Sequence, residues 1–243
     1  MRKIWIFSIL SLSVLTSCSK PDPVLPGERT AIFSGAEIII LNQEIAGLPE
    51  NITAVEQQDC PYTQDSSNVV WGGDKKIFSG FPTSNSVYSY QKPVCHGGFV
   101  YAGLTTGELV KIQPRTRNIE WIADIYRSSN LTGGAGVLDI VAPVVPDGGH
   151  VYVGGLGNAF CKIQSSNGNK KWCTDISVGV SFIIVGPAAF VVDTANHLYA
   201  INTNDGSVYW RGEVKRQRAP VYKDGVVAVG RHKFVAATGA VAK

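Results

Sequence analysis

The sequence is poor in charged residues and in methionine, and it contains no stretch with a sustained helical period. Charged residues make up 17% of the chain and Met occurs once, whereas Gly occurs 26 times and Pro 12 times. Globular domains usually carry about 25% charged residues, and turn-rich strand architectures use Gly and Pro more than strong helix formers do. The hydrophobic content of 44% excludes a disordered or collagen-like chain. We therefore expect a folded, all-β protein.

A strong excess of one charge is also missing. The net charge of +3 on 243 residues is too weak for a nucleic-acid binder, whose basic residues form a concentrated face. The charge is nevertheless uneven, because residues 211–243 contain two acidic residues, Glu213 and Asp224, and eight basic ones: Arg211, Lys215, Arg216, Arg218, Lys223, Arg231, Lys233 and Lys243. Two interpretations stay open: a solvated edge that charge protects from aggregation, or a contact for an acidic partner or phospholipid headgroups.

The chain lacks an apolar run long enough to cross a bilayer as a helix. Residues 4–15 are almost wholly apolar, which falls short of the roughly 20 residues that a transmembrane helix needs. Two basic residues precede this run, and Leu15-Thr16-Ser17-Cys18 ends it. This is the layout of a signal peptide that ends in a sequence resembling the bacterial lipobox. We expect cleavage before Cys18 and acylation of that residue; the alternative is an ordinary secretory signal with a chance cysteine.

This layout predicts three parts of the chain. Residues 1–17 form the lipoprotein signal peptide, residues 18–35 the lipidated N-terminus with a proline-rich tether, and residues 36–243 the β domain. Acyl chains at about 0.8 kcal/mol per buried methylene group anchor a protein firmly to a membrane. Ser19 after the cysteine favours, in lipoproteins of this type, the periplasmic face of the outer membrane.

The remainder of the chain repeats itself. A phrase that begins with proline and continues into an apolar strand starts at Pro93, Pro143 and Pro220, and Phe182 occupies the proline position of a fourth copy. The second half of the unit closes on a tryptophan in three copies: Trp121, Trp172 and Trp210. The spacing is near 38 residues, apart from an insertion at residues 127–137. Internal repeats of roughly 40 residues indicate blades of a β-propeller.

Each unit has four segments with strand-like alternation, separated by turns that contain Gly, Asn or Asp. We expect four-stranded blades in which Trp121, Trp172 and Trp210 pack between neighbouring blades. The length allows about four to five blades. A small closed ring, an open arc and a reduced or clipped relative of a larger propeller all remain possible outcomes.

The repeated phrase, with its Gly-x-Leu-Tyr-Ala-Ile and closing Trp, resembles the PQQ-type propeller repeat. Together with the lipobox-like sequence, it resembles the BamB family of outer-membrane protein assembly factors, which usually have eight blades. The resemblance implies a non-catalytic lipoprotein scaffold that binds BamA and other components of the β-barrel assembly machinery. The alternative is a truncated PQQ-like propeller lipoprotein that binds another envelope protein or a small ligand.

The resemblance also implies a partner surface. The family binds BamA through loops that precede two of the proline-slot strands, and these loops correspond to residues 86–90 and 138–140 of this sequence. Val87, Tyr88, Leu138 and Asp139 are therefore the candidate partner-binding residues. The alternative interpretation is that both segments are ordinary starts of strands.

Residues for catalysis are missing from the sequence. PQQ-dependent dehydrogenases share the repeat, but the resemblance would require adjacent cysteines and calcium ligands, and no two cysteines adjoin here. The four histidines are scattered over different repeats, and the sequence has no zinc-binding, P-loop or nucleophile-elbow motif. We expect no enzyme activity, no cofactor, no metal and no nucleic-acid partner.

Four cysteines remain after Cys18, an even number in a chain bound for an oxidising compartment. Cys161 and Cys173 flank a hairpin loop symmetrically, since a pairing that sets Gln164 opposite Lys170 also sets the two cysteines opposite each other. This spacing predicts a Cys161–Cys173 disulfide, with two buried free thiols as the alternative. Cys60 and Cys95 could pair by elimination.

Overall fold

The computed structural model describes residues 38–51, 60–83, 92–125, 137–157 and 159–242. All of them belong to the compact unit Ser34–Lys243. Within these ranges every regular element is a β-strand and none is a helix. The described part of the chain accordingly has no helix that is long and apolar enough to cross a membrane. The expectation of an all-β fold is confirmed.

The strands form five antiparallel sheets in which chain neighbours pair with each other, as in propeller blades. Blade 1 contains β1 (Tyr62–Gln64), β2 (Val69–Gly72) and β3 (Lys75–Ser79). Blade 2 contains β4 (Val94–His96), β5 (Phe99–Gly103), β6 (Glu108–Gln113) and β7 (Asn118–Asp124). Blade 3 contains β8 (Val145–Asp147), β9 (His150–Gly155), β10 (Ala159–Gln164) and β11 (Lys170–Thr174).

The last two sheets complete the series. Blade 4 contains β12 (Val178–Val185), β13 (Ala188–Asp193), β14 (His197–Asn202) and β15 (Val208–Glu213). Blade 5 contains β16 (Val221–Lys223), β17 (Val226–Val229) and β18 (His232–Val235). A bridge between Phe234 and Val241 adds the beginning of a further pairing to β18. Five sheets of three or four strands agree with the expected blade count.

Four hydrophobic clusters hold the blades together, and each cluster combines buried residues of two blades that are consecutive in the chain. The cluster between blades 3 and 4, for example, contains Phe160 from one and Val191 from the other, both fully buried. Both faces of blades 2, 3 and 4 are thus covered by apolar neighbours. Inner strands such as β5, β9 and β13 are therefore buried along nearly their whole length, and the expected alternation is wrong for them.

A β-bulge recurs at the same place in blades 2, 3 and 4. The register between the last two strands shifts after Lys111, Lys162 and Ala200, each of which lies opposite the tryptophan of its blade. Such bulges twist a strand and redirect its side chains. In blade 3 the bulge pairs Ile163 with Lys170, so the expected pairing of Gln164 with Lys170 is wrong by one residue.

An N-terminal strap (residues 38–51) crosses blades 4 and 5. It pairs in parallel with β15 through Ile40 and Val208. Further along, Ile45 is buried in the cluster between the two blades, and the Tyr222 hydroxyl donates to the carbonyl of Pro49. The repeat pattern does not predict this strap, because its residues lie outside the repeating phrases.

Candidate functional site

A tryptophan joint connects blade 2 to 3, blade 3 to 4 and blade 4 to 5. The indole Nε1 atoms of Trp121, Trp172 and Trp210 donate to carbonyls in the last hairpin turn of the following blade, at 3.0, 3.2 and 2.9 Å. The acceptors are Ser165, Thr203 and Ala236. The structure therefore places all three predicted tryptophans at the contact between consecutive blades.

A glycine three residues after each acceptor lets the indole ring approach the turn. Gly168, Gly206 and Gly239 have φ angles of 76°, 79° and 72°, the left-handed region that glycine tolerates best. A Cβ atom on these residues would lie 2.9, 2.7 and 2.7 Å from the nearest ring atom. The turn and the ring thus require glycine for two independent reasons.

Lysines reinforce two of these joints. The Nζ atoms of Lys111 and Lys162 donate to the same carbonyls of Ser165 and Thr203, each at 2.9 Å. Burial lowers the pKa of both lysines, since a low-dielectric environment disfavours the charged form. Burial also raises the pKa of the neighbouring Tyr152 to about 12. These polar groups stabilise the contact between blades.

Both cysteine pairs form disulfides in the structure. Cys161 and Cys173 are direct partners across β10 and β11, with a Cα–Cα distance of 4.2 Å. Cys60 is linked to Cys95 across 35 residues of sequence, which connects the segment before β1 to β4 of the next blade. All four thiols are therefore engaged, and none is available as a nucleophile.

The structure describes only some of the candidate lipidation and partner-binding residues. Cys18, Val87 and Tyr88 lie outside the described residues, as does most of the insertion at residues 127–137. Leu138 is half-buried and precedes β8. Asp139 is only 1% exposed, and its backbone carbonyl accepts a hydrogen bond from Leu156 at 2.9 Å. In this conformation a surface contact can use Leu138 but not the Asp139 carboxylate.

The loop between blades 4 and 5 carries a compact set of basic residues. Its ends are buried at Val214 and Pro220, and the Val214 amide donates to the Asn196 carbonyl at 2.9 Å. Between these points the Gln217 side-chain amide donates to the Thr194 carbonyl at 2.8 Å. Because the loop is fixed at three positions, the residues between them are directed into solvent. Those residues include Lys215, Arg216 and Arg218, which are all exposed.

The turn between β17 and β18 faces this loop and completes a basic cleft. The cleft has a volume of about 600 Å³ and is lined by Lys215, Arg216, Arg218, Val229, Gly230, Arg231 and His232. None of the carboxylates in the described ranges lies within 4.0 Å of the lysine or arginine nitrogens of this lining. Convergent cations without carboxylate partners favour an anionic ligand.

The sequence predicts that residues 211–243 are basic, but it does not predict which of these basic residues form the cleft. Lys223 lies in β16 next to Asp224, 4.0 Å away, and Lys243 is outside the described residues. Arg211 and Lys233 line a second, smaller depression of about 430 Å³, which also contains Glu213. The approach of the turn between β17 and β18 to the loop after β15 selects the residues of the basic cleft.

Comparison with known proteins identifies the family. A family model described as "Outer membrane protein assembly factor BamB" matches residues 44–212, which is more than half of the chain. The chain belongs to this family. The BamB protein of Yersinia pestis is 25% identical over 183 residues, which cover 74% of this chain and 43% of that protein. The BamB protein of Bordetella pertussis is 26% identical over 180 residues, which cover 67% and 46% of the two chains.

A solved relative supports the fold. The crystal structure of BamB from Moraxella catarrhalis has a TM-score of 0.64 and 16% identity, and the match covers 75% of this chain and 59% of that one. The chain spans less than half the length of the BamB proteins from Yersinia pestis and Bordetella pertussis. The residues of the basic cleft follow residue 212 and thus lie beyond the region that the BamB family model matches.

Proposed function

We propose that this BamB-family chain is a lipid-anchored, non-catalytic scaffold that assists outer-membrane protein assembly by binding BamA. The observation that carries the proposal is the family match over residues 44–212. The lipobox-like Leu15-Thr16-Ser17-Cys18 supports the anchor. Rigid blades with buried joints suit a scaffold, because a fixed surface loses little conformational entropy when a partner binds.

Several reactive side chains of the described ranges have structural roles, as a scaffold requires. All four cysteines of the β domain are in disulfides. His197 contacts Asp193 at 3.1 Å in a turn of blade 4. The same carboxylate accepts a hydrogen bond from the His197 backbone amide at 2.7 Å, so the pair closes this turn.

Leu138 is the candidate residue of the partner surface that the described structure leaves accessible. We expect recovery of BamA when the full chain is isolated from detergent-solubilised outer membranes. Leu138→Arg should reduce this recovery, whereas Ile119→Arg, a matched change at a residue that is 50% exposed in β7, should not. Equal recovery with both variants would exclude the Leu138 surface, and failure of the parent chain to recover BamA would contradict the proposed function.

The anchor has a separate test. Cys18→Ala should abolish the incorporation of labelled palmitate by the producing bacterium, because no thiol would remain for acylation. Ser19→Ala, which leaves the cysteine in place, is the control and should keep the label. Labelling of the Cys18→Ala protein would contradict acylation at Cys18.

A further inference from the structure

The basic cleft between blades 4 and 5 has the composition of a small-anion site. Three long cationic side chains, Lys215, Arg216 and Arg218, come from the loop, and Arg231 with His232 comes from the facing turn. Glu213, the nearest acidic residue in sequence, lines an adjoining depression that shares Arg231 and His232 with the cleft, but no carboxylate in the described ranges forms an ion pair with a lysine or arginine of the cleft. Like charges that line one cleft repel one another unless an anion lies between them.

We infer that the basic cleft binds a phosphate-bearing anion, either a free phosphate compound or the phosphate headgroup of a lipid. Guanidinium groups match phosphate oxygens with two parallel hydrogen bonds, and three arginines line this cleft. Its volume of about 600 Å³ falls in the range of about 300–1,000 Å³ typical of small-ligand sites. A concave site of this size suits a compact headgroup better than the flat surface of a folded protein.

The site is organised before a ligand arrives. Hydrogen bonds of Val214 and Gln217 hold the loop against the turn that precedes β14. Arg218 packs over Gly230, where a Cβ atom would lie 3.2 Å from the arginine Cδ. The two halves of the cleft are therefore in contact with each other. Preorganised cations bind an anion with a smaller entropy cost than mobile surface lysines would.

The cleft is accessible from one end of the strands. The loop after β15 leads into β16, and in the antiparallel order β16-β17-β18 the turn between β17 and β18 lies at the end of blade 5 where β16 begins. The N-terminal strap contacts the opposite end, where Asn51 accepts a hydrogen bond from the Asp224 amide. The strap therefore does not cover the cleft. This inference does not rest on the proposed binding of BamA.

The test uses the chain from Ser19 onwards in every sample, so that neither the apolar run of residues 4–15 nor an acyl chain on Cys18 contributes to membrane binding. Inorganic pyrophosphate is titrated by calorimetry, and phosphatidylglycerol vesicles are assayed by co-sedimentation with phosphatidylcholine vesicles as the control. The cleft variant is Arg216→Glu/Arg231→Glu. The matched control, Lys75→Glu/Lys223→Glu, changes the net charge equally at exposed residues outside the cleft.

We expect the parent to bind at least one phosphate probe, and the cleft variant to bind it about tenfold more weakly or worse, while the control variant matches the parent. Binding of pyrophosphate indicates a free phosphate compound, and binding of phosphatidylglycerol vesicles alone indicates a lipid headgroup. Hexaglutamate is the competing probe. The inference is overturned if hexaglutamate binds at least as tightly as the phosphate probes, if neither phosphate probe binds, or if both variants bind like the parent.

Discussion

The joint between blades 1 and 2 differs from the three joints that follow it. Blades 2 to 5 are connected by a tryptophan that packs on a glycine turn and donates to a carbonyl of the next blade. At the first joint, β3 contains no tryptophan, and the residue at the position of the turn glycine is Arg117, with a φ of 61°. The Arg117 turn has the same backbone hydrogen bond as the glycine turns, but no tryptophan ring packs against it.

Polar contacts and a disulfide replace the tryptophan at the first joint. The buried Asn68 side chain donates to the Thr105 hydroxyl at 2.8 Å and accepts from the Thr105 amide at 3.0 Å. The Cys60–Cys95 disulfide adds a covalent link between the same two regions. Apolar burial is therefore common to all four joints. The first joint differs because hydrogen bonds of Asn68 and a cross-link take the place of the tryptophan–glycine contact.

Removal of a joint tryptophan should have the largest effect on stability. Trp210→Ala deletes a buried ring that contacts Phe190 and Phe234 and leaves a cavity between blades 4 and 5. We expect a loss of about 3–5 kcal/mol in the free energy of unfolding, measured by urea denaturation. Trp71→Ala is the control, because Trp71 is partly exposed and bonds within its own blade to Asp65. An equal loss in both variants would contradict a special role for the joint.

The turn position should respond with opposite signs in the two regions. Gly206→Ala forces a side chain into the left-handed region and against Trp172, which should cost about 2–3 kcal/mol. Arg117→Gly relieves the same backbone strain where no ring is packed, so we expect a change between zero and a gain of about 1 kcal/mol. Thermal unfolding of both variants checks the signs. If Arg117→Gly lost as much stability as Gly206→Ala, the expected difference between the two turns would be contradicted.

Loss of the Asn68 hydrogen bonds at the first joint should destabilise the protein more than loss of an asparagine side chain in a regular blade. Asn68→Ala leaves the Thr105 amide and the Phe81 carbonyl without the bonds that Asn68 now makes. Buried groups left in this state cost about 1–3 kcal/mol. Asn196→Ala is the matched control, since Asn196 has a similar positive φ of 68° in blade 4 and no side-chain bond of this kind appears among the described contacts. We expect urea denaturation to show a larger loss for Asn68→Ala, and a larger loss for Asn196→Ala would contradict the comparison.

Alkaline pH should lower the free energy of unfolding through Tyr152, which packs at a tryptophan joint. Burial raises the pKa of Tyr152 from 10.0 to about 12, so the unfolded chain releases this proton before the folded protein does. The stabilising contribution is complete below about pH 10 and is lost as the pH rises towards 12. Tyr152→Phe should reduce the slope of stability against pH in this window by up to about 1.4 kcal/mol per pH unit. Four other tyrosines in the described ranges have raised pKa values and keep the remaining slope, and an unchanged slope would contradict the assignment.

The regular part of the fold was predictable from the sequence because its units repeat in register. The positions of Trp121, Trp172 and Trp210 alone indicate inter-blade packing, and the symmetric placement of Cys161 and Cys173 around a hairpin indicates their proximity. These are local or periodic patterns, so short windows of sequence contain the information.

The remaining features depend on contacts between residues far apart in the chain. The strap contact of Ile45 with blade 5, the burial of Asp139 and the assembly of Arg216 with Arg231 into one cleft follow from tertiary packing. No period or motif marks these residues. The β-bulge after Lys162 shifts the hairpin register by one residue, because a bulge depends on how the tryptophan is directed into the next blade.

Hydrogen exchange on the Cys60→Ser/Cys95→Ser protein tests most directly whether two kinds of joint hold the blades together. We expect faster amide exchange in β1–β4 than in the parent, with unchanged protection in β9–β15, because the tryptophan joints do not depend on the removed disulfide. Equal acceleration through β9–β15, or unchanged exchange in β1–β4, would contradict the claim.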